Sequence, residues 1–141
     1  MTPEKIFSIV NLAALLSWVA LAALPGRRWV PRTITGLAVP AGLASVYAAL
    51  ILATWGGPGS FSSLEGVALL FANPWLLLAG WIHYLAFDLL VGSWEAIDAR
   101  ERGVPHWMLV PCLFLTFMFG PVGWLLYQGV RRIAGRDERA A

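Results

Sequence analysis

Charged residues are scarce in this sequence. Aspartate, glutamate, lysine and arginine make up 13% of its 141 residues, whereas a soluble domain carries about 25%. Hydrophobic residues make up 59%, which excludes a disordered chain and argues against a soluble globule. The net charge is only +2, and the basic residues stand in short clusters beside apolar runs. That pattern is typical of membrane topology signals, so we expect membrane lipid as a partner and no nucleic acid.

Cysteine is nearly absent as well, since Cys112 is the single example. One cysteine excludes an intrachain disulfide, and its place in an apolar run favours packing over reactivity. The sequence also lacks a glycine-rich phosphate loop, a nucleophile elbow and a CxxC pair. His83, Asp88 and Glu95 are metal-binding residue types, but the Glu-x-x-His spacing of diiron bundles is missing. We therefore expect no cofactor and no metal.

Four apolar runs are long enough, at about 1.5 Å per residue, to cross a hydrocarbon core of about 30 Å. A signal peptide competes for the first run, but its length and the runs that follow favour a span. The sequence thus predicts an all-α, multi-pass integral membrane protein. It forms one domain over residues 1–141, with spans at about 6–24, 34–55, 74–95 and 107–129. Proline is expected to kink the second span at Pro40 and the fourth near Gly120–Pro121.

Residues 56–72 form the longest connection between the predicted spans. Ser63 is expected to cap a helix that is too short to cross the membrane, and we expect this helix to be interfacial or re-entrant. Asn73 and Pro74 then supply an N-cap and a first-turn proline for the third span.

The membrane orientation depends on basic residues. Four spans place both termini on one side, and the flanks of the first span favour the loop at 27–32 as cytoplasmic. We therefore expect both termini outside, although the count is tied. Five basic residues fall on each side, Lys5, Arg131, Arg132, Arg136 and Arg139 against Arg27, Arg28, Arg32, Arg100 and Arg102.

The third run carries ionisable side chains that a lipid-facing helix would not tolerate. At 100° per residue, His83, Tyr84, Asp88 and Glu95 fall on one half of the helix. Such residues are costly inside a span and normally face a bundle interior, so these four are the candidate catalytic residues. Residues that share the membrane depth of this polar face, or that flank it with an aromatic side chain, are the candidate substrate-binding residues. They are Asn11, Ser45, Tyr47, Trp81, Phe87, Trp94 and Thr116.

Residues 71–127 contain FANPWLLLAGWIHYLAFDLLVGSWEA and DARERGVPHWMLVPCLFLTFMFGPVGWLLY. This stretch resembles the abscisic-acid-deficient-four-like family of small four-helix membrane proteins, and the residues before it resemble that family only in hydropathy. The resemblance implies a carotenoid isomerase, which converts the 5,6-epoxide of violaxanthin to the allenic alcohol of neoxanthin. It carries over no catalytic residue.

Opening an epoxide requires an acid at the oxygen and a base that removes a proton from the neighbouring polyene carbon. Asp88 is the candidate acid, His83 is the candidate base, and Tyr84 or Thr116 is expected to hold the oxygen. A cleft lined by aromatic side chains suits a carotenoid or another apolar small molecule.

Two other functional classes remain open. One is a non-enzymatic carotenoid- or lipid-binding scaffold, as a single chain or a homo-oligomer, in which the polar face serves packing. The other is a small proton-linked transporter subunit, in which His83, Asp88 and Glu95 form a relay.

Overall fold

The structure is a computed structural model and describes residues 1–54 and 56–134. All regular structure in these ranges is helical. Three helical stretches are long and apolar enough to cross a membrane, Pro3–Ala23, Val30–Thr54 and Pro74–Glu101. The helices in chain order are α1 (Pro3–Ala23), a π-helical segment (Val30–Ala38), α2 (Val39–Thr54), α3 (Leu64–Phe71), α4 (Pro74–Glu101), α5 (His106–Phe119) and α6 (Pro121–Ala134).

Helix α4 lies at the centre of the molecule and contacts every other helix. Half of its most apolar stretch is buried, against 28% for α1 and 17% for the second long helix. Ile82 belongs to an apolar cluster shared with α1 and α2, and Leu89 belongs to one shared with α1, α5 and α6. The polar side chains of α4 are therefore positioned by all of its neighbours.

Side-chain contacts fix the direction of α1 relative to α4. The Trp81 ring packs on Phe7 near the start of both helices. At the other end, the Arg100 guanidinium donates a hydrogen bond to the Pro25 carbonyl at 3.1 Å. The two helices therefore run parallel.

The second long helix begins as a π-helix. Its wider hydrogen bonding is seen where the Val39 N–H donates to the Ile34 carbonyl, five residues back. The sequence predicts a start near residue 34 with a kink at Pro40, but the helix starts at Val30 and Pro40 directly follows the π-helical segment. A proline has no N–H to donate, and we attribute its accommodation to the altered hydrogen-bond spacing at this point.

The short helix α3 and the start of α4 have the predicted caps. The Gly66 N–H donates to the Ser63 hydroxyl at 3.0 Å, and the Trp75 N–H donates to the Asn73 side-chain oxygen at 3.0 Å. With 8 residues, α3 is too short to span a membrane. Its placement at an interface stays a prediction.

The fourth apolar run forms two helices that fold back on each other. At Gly120 the backbone has a φ of +46°, a conformation that glycine tolerates best. Gly123 then lies directly against Thr116, and Val130 packs on the cluster that contains Val104. The predicted single helix over 107–129 is thus corrected to a hairpin. Its arms have 14 residues each, about 21 Å at 1.5 Å per residue.

The hairpin reaches only halfway along α4. Gly120 lies so close to the Asp88 carboxylate that an added Cβ would be 2.9 Å from its Oδ1. Asp88 is near the midpoint of α4, and from this apex α6 returns to the end of α4, where Arg131 bonds Asp98 at 3.0 Å.

The hairpin gathers the basic residues at one end of the bundle. Arg131 meets the end of α4, and Arg32 reaches Glu101 at 3.3 Å. Residues 3 and 134 consequently lie at opposite ends of the bundle, which corrects the expectation that they share a side. At the end away from Lys5 lie seven described arginines, Arg27, Arg28, Arg32, Arg100, Arg102, Arg131 and Arg132. Arg136 and Arg139 lie outside the described residues.

Candidate functional site

Helix α4 presents its polar side chains in two directions. Tyr84, Asp88 and Glu95 face the α5–α6 hairpin, and we refer to this as the hairpin side. His83 is exposed and faces α2, and we refer to this as the cleft side. The sequence predicts that these four residues share one half of the helix. The structure divides that half between two different neighbours.

Glu95 is the most buried of these groups, with 0% of its surface exposed. The Thr116 hydroxyl lies 3.0 Å and 3.1 Å from its two carboxylate oxygens and donates to them. Gly123 lies directly against Thr116, so α6 closes this pair from the other side. Glu95 thereby holds the hairpin, and it has no access to a ligand in this arrangement.

Asp88 and Tyr84 meet the apex of the hairpin. The Tyr84 hydroxyl donates to the Phe117 carbonyl at 3.1 Å, three residues before Gly120, where the chain reverses. The Oδ2 atom of Asp88 is buried and has no hydrogen-bond partner among the described residues. Its carboxylate lies against Gly120, just before α6 begins, where a helix dipole stabilises negative charge.

The hairpin side ends in a polar cluster around Asp98. Tyr127 donates to its Oδ2 at 2.6 Å, and Arg102 and Arg131 each donate to its Oδ1 at 3.0 Å. The Arg131 guanidinium also lies 5.3 Å from the centre of the Trp94 ring. The Asp98–Arg102 pair, four residues apart on α4, is thus one part of a network that fastens α6 to α4.

The cleft side has an apolar cleft with two unpaired polar groups. The His83 ring lies 5.6 Å from the Tyr47 ring and 4.6 Å from the Phe87 ring. Among the described residues, neither the His83 ring nitrogens nor the Tyr47 hydroxyl has a hydrogen-bond partner. They line a cleft of about 250 Å³ between α2, α3 and α4, together with Ile51, Phe61, Leu70, Phe71, Leu76 and Gly80. This cleft is the candidate ligand site.

Comparison with known proteins identifies the family. The family model ABA DEFICIENT 4-like matches residues 5–127, which is most of the chain. The chain belongs to this family. No curated protein and no solved structure matches it.

In this ABA DEFICIENT 4-like protein the match begins in α1, well before the stretch whose motifs suggested the family. Residues 5–70, expected to resemble the family only in hydropathy, fall within the match. The matched range ends at Tyr127, inside α6. It therefore includes the cleft side, the hairpin apex and the Glu95–Thr116 pair.

The remaining predicted substrate-binding residues of the ABA DEFICIENT 4-like chain lie apart from the cleft. The Trp81 indole N–H donates to the Asn11 side-chain oxygen at 3.1 Å, so Asn11 of α1 bonds a neighbouring helix. Ser45 is exposed and donates to the Ala41 carbonyl of its own helix at 2.8 Å. Trp94 stacks edge-on against Tyr127 near Asp98. Only Tyr47 and Phe87 of the predicted set accompany His83.

One buried contact has no counterpart in the sequence predictions. The Thr35 and Ser93 hydroxyls lie 2.7 Å apart, and both residues are fully buried. Thr35 belongs to the π-helical segment, so this bond joins that segment to α4. The sequence signal that could have predicted this bond is a small polar residue at matching depth in each of two predicted spans. Within the described part of the chain no three metal-ligating side chains gather, and the absence of a metal stays a prediction.

Proposed function

We propose that this protein isomerises the epoxide end ring of a xanthophyll at the cleft of His83 and Tyr47. The family match supports a neoxanthin-synthase-like role. The observation that carries the site is the pair of unpartnered polar groups in an otherwise apolar cleft. Both groups are free to bond a ligand, and a ligand that gives up one proton and takes up another uses both.

The chemistry requires no external reactant. An unprotonated ring nitrogen of His83 takes the proton from the carbon next to the epoxide ring. The electrons of that C–H bond form the new double bond of the allene, and the nearer epoxide C–O bond breaks. The oxygen stays on the neighbouring ring carbon and takes a proton from the Tyr47 hydroxyl. The product therefore has the same mass as the substrate. Returning the proton from His83 to Tyr47 completes the cycle.

This assignment differs from the pairing that the sequence suggests. Asp88 lies against the hairpin apex, and His83 lies on the cleft side, so the two cannot act on one epoxide. Tyr84 and Thr116 are engaged by Phe117 and Glu95, which removes them as partners for the oxygen. Tyr47 takes that role because its ring is next to His83.

The size of the cleft indicates how a long carotenoid is held. Pockets that enclose a drug-sized ligand measure roughly 300–1,000 Å³, whereas this cleft measures about 250 Å³. It accommodates one end ring, and the polyene extends into the lipid. Phe87 is 56% exposed beside His83 and offers an aromatic surface at the point where the polyene leaves the cleft.

Pigment chromatography of cells that accumulate a 5,6-epoxy-xanthophyll tests the proposal. The wild type is expected to produce an isomer of unchanged mass. His83→Ala is expected to reduce its yield at least ~100-fold, and Tyr47→Phe about 10-fold or more, because each removes one proton-transfer group. Asp88→Asn, a near-isosteric change on the hairpin side, is the matched control and is expected to retain the isomer.

Other outcomes favour the other functions. Loss of the isomer in Asp88→Asn but not in His83→Ala would move the chemistry to the hairpin apex. A pigment that co-purifies unchanged with the wild type would indicate a binding scaffold. Proton flux through liposomes that depends on Glu95 would indicate a transporter subunit, although His83, Asp88 and Glu95 form no continuous hydrogen-bonded line within the described residues.

We also propose a membrane topology of three spans and one re-entrant hairpin. The arms of α5 and α6 are too short to cross alone, and the hairpin apex lies near the middle of α4. Seven described arginines lie at one end of the bundle, and Lys5 lies at the other. This distribution favours the arginine-rich end as the cytoplasmic one. The start of the chain is then outside and residue 134 inside. Labelling single cysteines placed at positions 2 and 132, in a Cys112→Ser background, tests this, because both would react from one side if four spans were correct.

A further inference from the structure

Two clefts adjoin each other at the arginine-rich end of the bundle. The first, about 200 Å³, is referred to as the basic cleft, and its lining is Arg28, Pro31, Arg32, Ile97, Arg100 and Glu101. The second, about 260 Å³, is referred to as the apolar groove because most of its lining residues are apolar, including Leu21, Leu24, Ala96, Val104 and Leu109. His106 also lines it, with a ring nitrogen 2.8 Å from the Ala22 carbonyl oxygen. Pro31 and Arg100 line both, so the two spaces adjoin each other at these residues. This site lies at the opposite end of α4 from the His83 cleft and does not rest on the proposed function.

The basic cleft has a surplus of positive charge. Three arginines and one glutamate line it, which gives a formal charge of +2 (three minus one). Arg28 has no hydrogen-bond or ion-pair partner among the described residues. Arg32 pairs with Glu101 at 3.3 Å, and both side chains are 58% exposed, so this pair is weak and exchangeable.

Arg100 is held at the boundary between the two clefts. Its Nη1 donates to the Pro25 and Gly26 carbonyls at 3.1 Å and 3.4 Å. A guanidinium has five N–H donors, and no other hydrogen bond from Arg100 is present among the described residues. The anchored side chain can therefore donate its remaining N–H groups to an anion, and arginine matches phosphate geometry with two parallel bonds.

Together the two spaces match an amphiphile with an anionic head and an apolar tail. We propose that the basic cleft binds the phosphate headgroup of an anionic phospholipid and that the apolar groove holds the first part of an acyl chain. Basic pockets between spanning helices bind anionic headgroups in this way. A soluble phosphate would occupy only the basic cleft and would leave the groove empty.

The competing explanation is that these arginines are topology signals without a bound lipid. Arg132 provides the matched control, because it lies at the same end of the bundle, is exposed, and lines neither cleft. Arg28→Gln provides the cleanest variant, because exposed Arg28 has no hydrogen bond or ion pair to lose among the described residues and its replacement is expected to leave the fold intact. Arg28→Gln combined with Arg100→Gln removes two of the three cleft arginines.

The test is thermal unfolding of the purified, delipidated protein in detergent. Added phosphatidylglycerol is expected to raise the unfolding midpoint of the wild type by on the order of 5 °C at saturation, because it binds only the folded state. Phosphatidylcholine and inorganic phosphate are expected to raise it by less than half as much. Arg28→Gln is expected to weaken the response several-fold, the double variant to abolish it, and Arg132→Gln to retain it.

Three results would overturn the proposal. An equal rise with phosphatidylcholine would show general lipid solvation. An equal rise with inorganic phosphate would show a simple anion site. An equal loss of the phosphatidylglycerol response in Arg132→Gln and Arg28→Gln would show that net charge, not the cleft, attracts the lipid. Native mass spectrometry of retained phosphatidylglycerol supplies a second measurement. The proposal would also be contradicted if the wild type and Arg132→Gln retained no more lipid than Arg28→Gln.

Discussion

The two sides of α4 treat ionisable groups in opposite ways. On the hairpin side, Glu95 is fully buried and accepts hydrogen bonds from Thr116, and Asp98 accepts bonds from three donors. On the cleft side, His83 is exposed beside Tyr47 and has no partner among the described residues. Glu95 and Asp98 therefore join helices, whereas His83 of the same helix is available to a ligand. Their sequence spacing alone does not distinguish the two roles.

The largest effect on stability is expected at Glu95. Glu95→Ala removes a buried side chain and leaves the Thr116 hydroxyl without its acceptor, which together cost about 3 kcal/mol. His83→Ala, on the exposed side, is expected to change the free energy of unfolding by about 0.5 kcal/mol or less. Thermal unfolding of both variants in detergent measures the difference, and equal shifts would show that the two sides are not distinct.

Glycine substitutions in α6 test the packing of the hairpin. An added Cβ at Gly123 would overlap the backbone of Thr116, so Gly123→Ala is expected to destabilise the protein by about 1–3 kcal/mol. Gly129 has nothing within 4 Å of such a Cβ. Gly129→Ala in the same helix is expected to stabilise it by up to about 1 kcal/mol. Changes of the same sign in the unfolding midpoints would argue against a hairpin this tight.

Two tyrosine hydroxyls provide a smaller and closely matched comparison. Tyr127→Phe removes a 2.6 Å hydrogen bond to Asp98 and is expected to cost about 1 kcal/mol of stability. Tyr47→Phe removes a hydroxyl without a partner in the described part of the chain, and we expect no measurable loss of stability. The isomer yield is expected to show the reverse order. A loss of stability in Tyr47→Phe comparable to that in Tyr127→Phe would contradict this division.

The smallest effect is expected for the exposed ion pair that joins the start of the second long helix to the end of α4. Arg32 and Glu101 are each 58% exposed, and solvent screens such pairs. Arg32→Gln is therefore expected to change the free energy of unfolding by at most about 0.5 kcal/mol. A larger drop, measured by the same thermal unfolding, would indicate that this end of the bundle is less hydrated than its exposure suggests.

Much of the fold could be predicted from the sequence because it depends on local signals. Apolar length predicts the three long helices, and Ser63 and Asn73 mark helix starts by side-chain capping. The fourth run also carries a stripe of small and polar residues at helical spacing, and its members Cys112, Thr116 and Tyr127 are all fully buried. The stripe lines the inner faces of two hairpin arms instead of one face of a single helix.

The hairpin itself could not be predicted from local signals. Gly120 and Pro121 permit either a kink or a reversal, and the choice depends on where Asp88, Glu95 and Thr116 find partners in three dimensions. The grouping of the candidate site residues could not be predicted for the same reason. A helical wheel places His83 and Asp88 on one half of the helix but cannot show that His83 lies beside α2 and Asp88 against the hairpin apex.

The reversal at Gly120 has a consequence for biogenesis. Neither arm of the hairpin is long enough to be retained in the bilayer as an independent stop-transfer segment, so both arms depend on an acceptor that is already in place. That acceptor is the side of α4 that carries Asp88, Glu95 and Asp98, and the ribosome completes α4 first. Insertion of residues 106–134 is therefore expected to be post-translational in character. A nascent chain whose α4 lacks Glu95 is expected to release these residues to quality-control proteases.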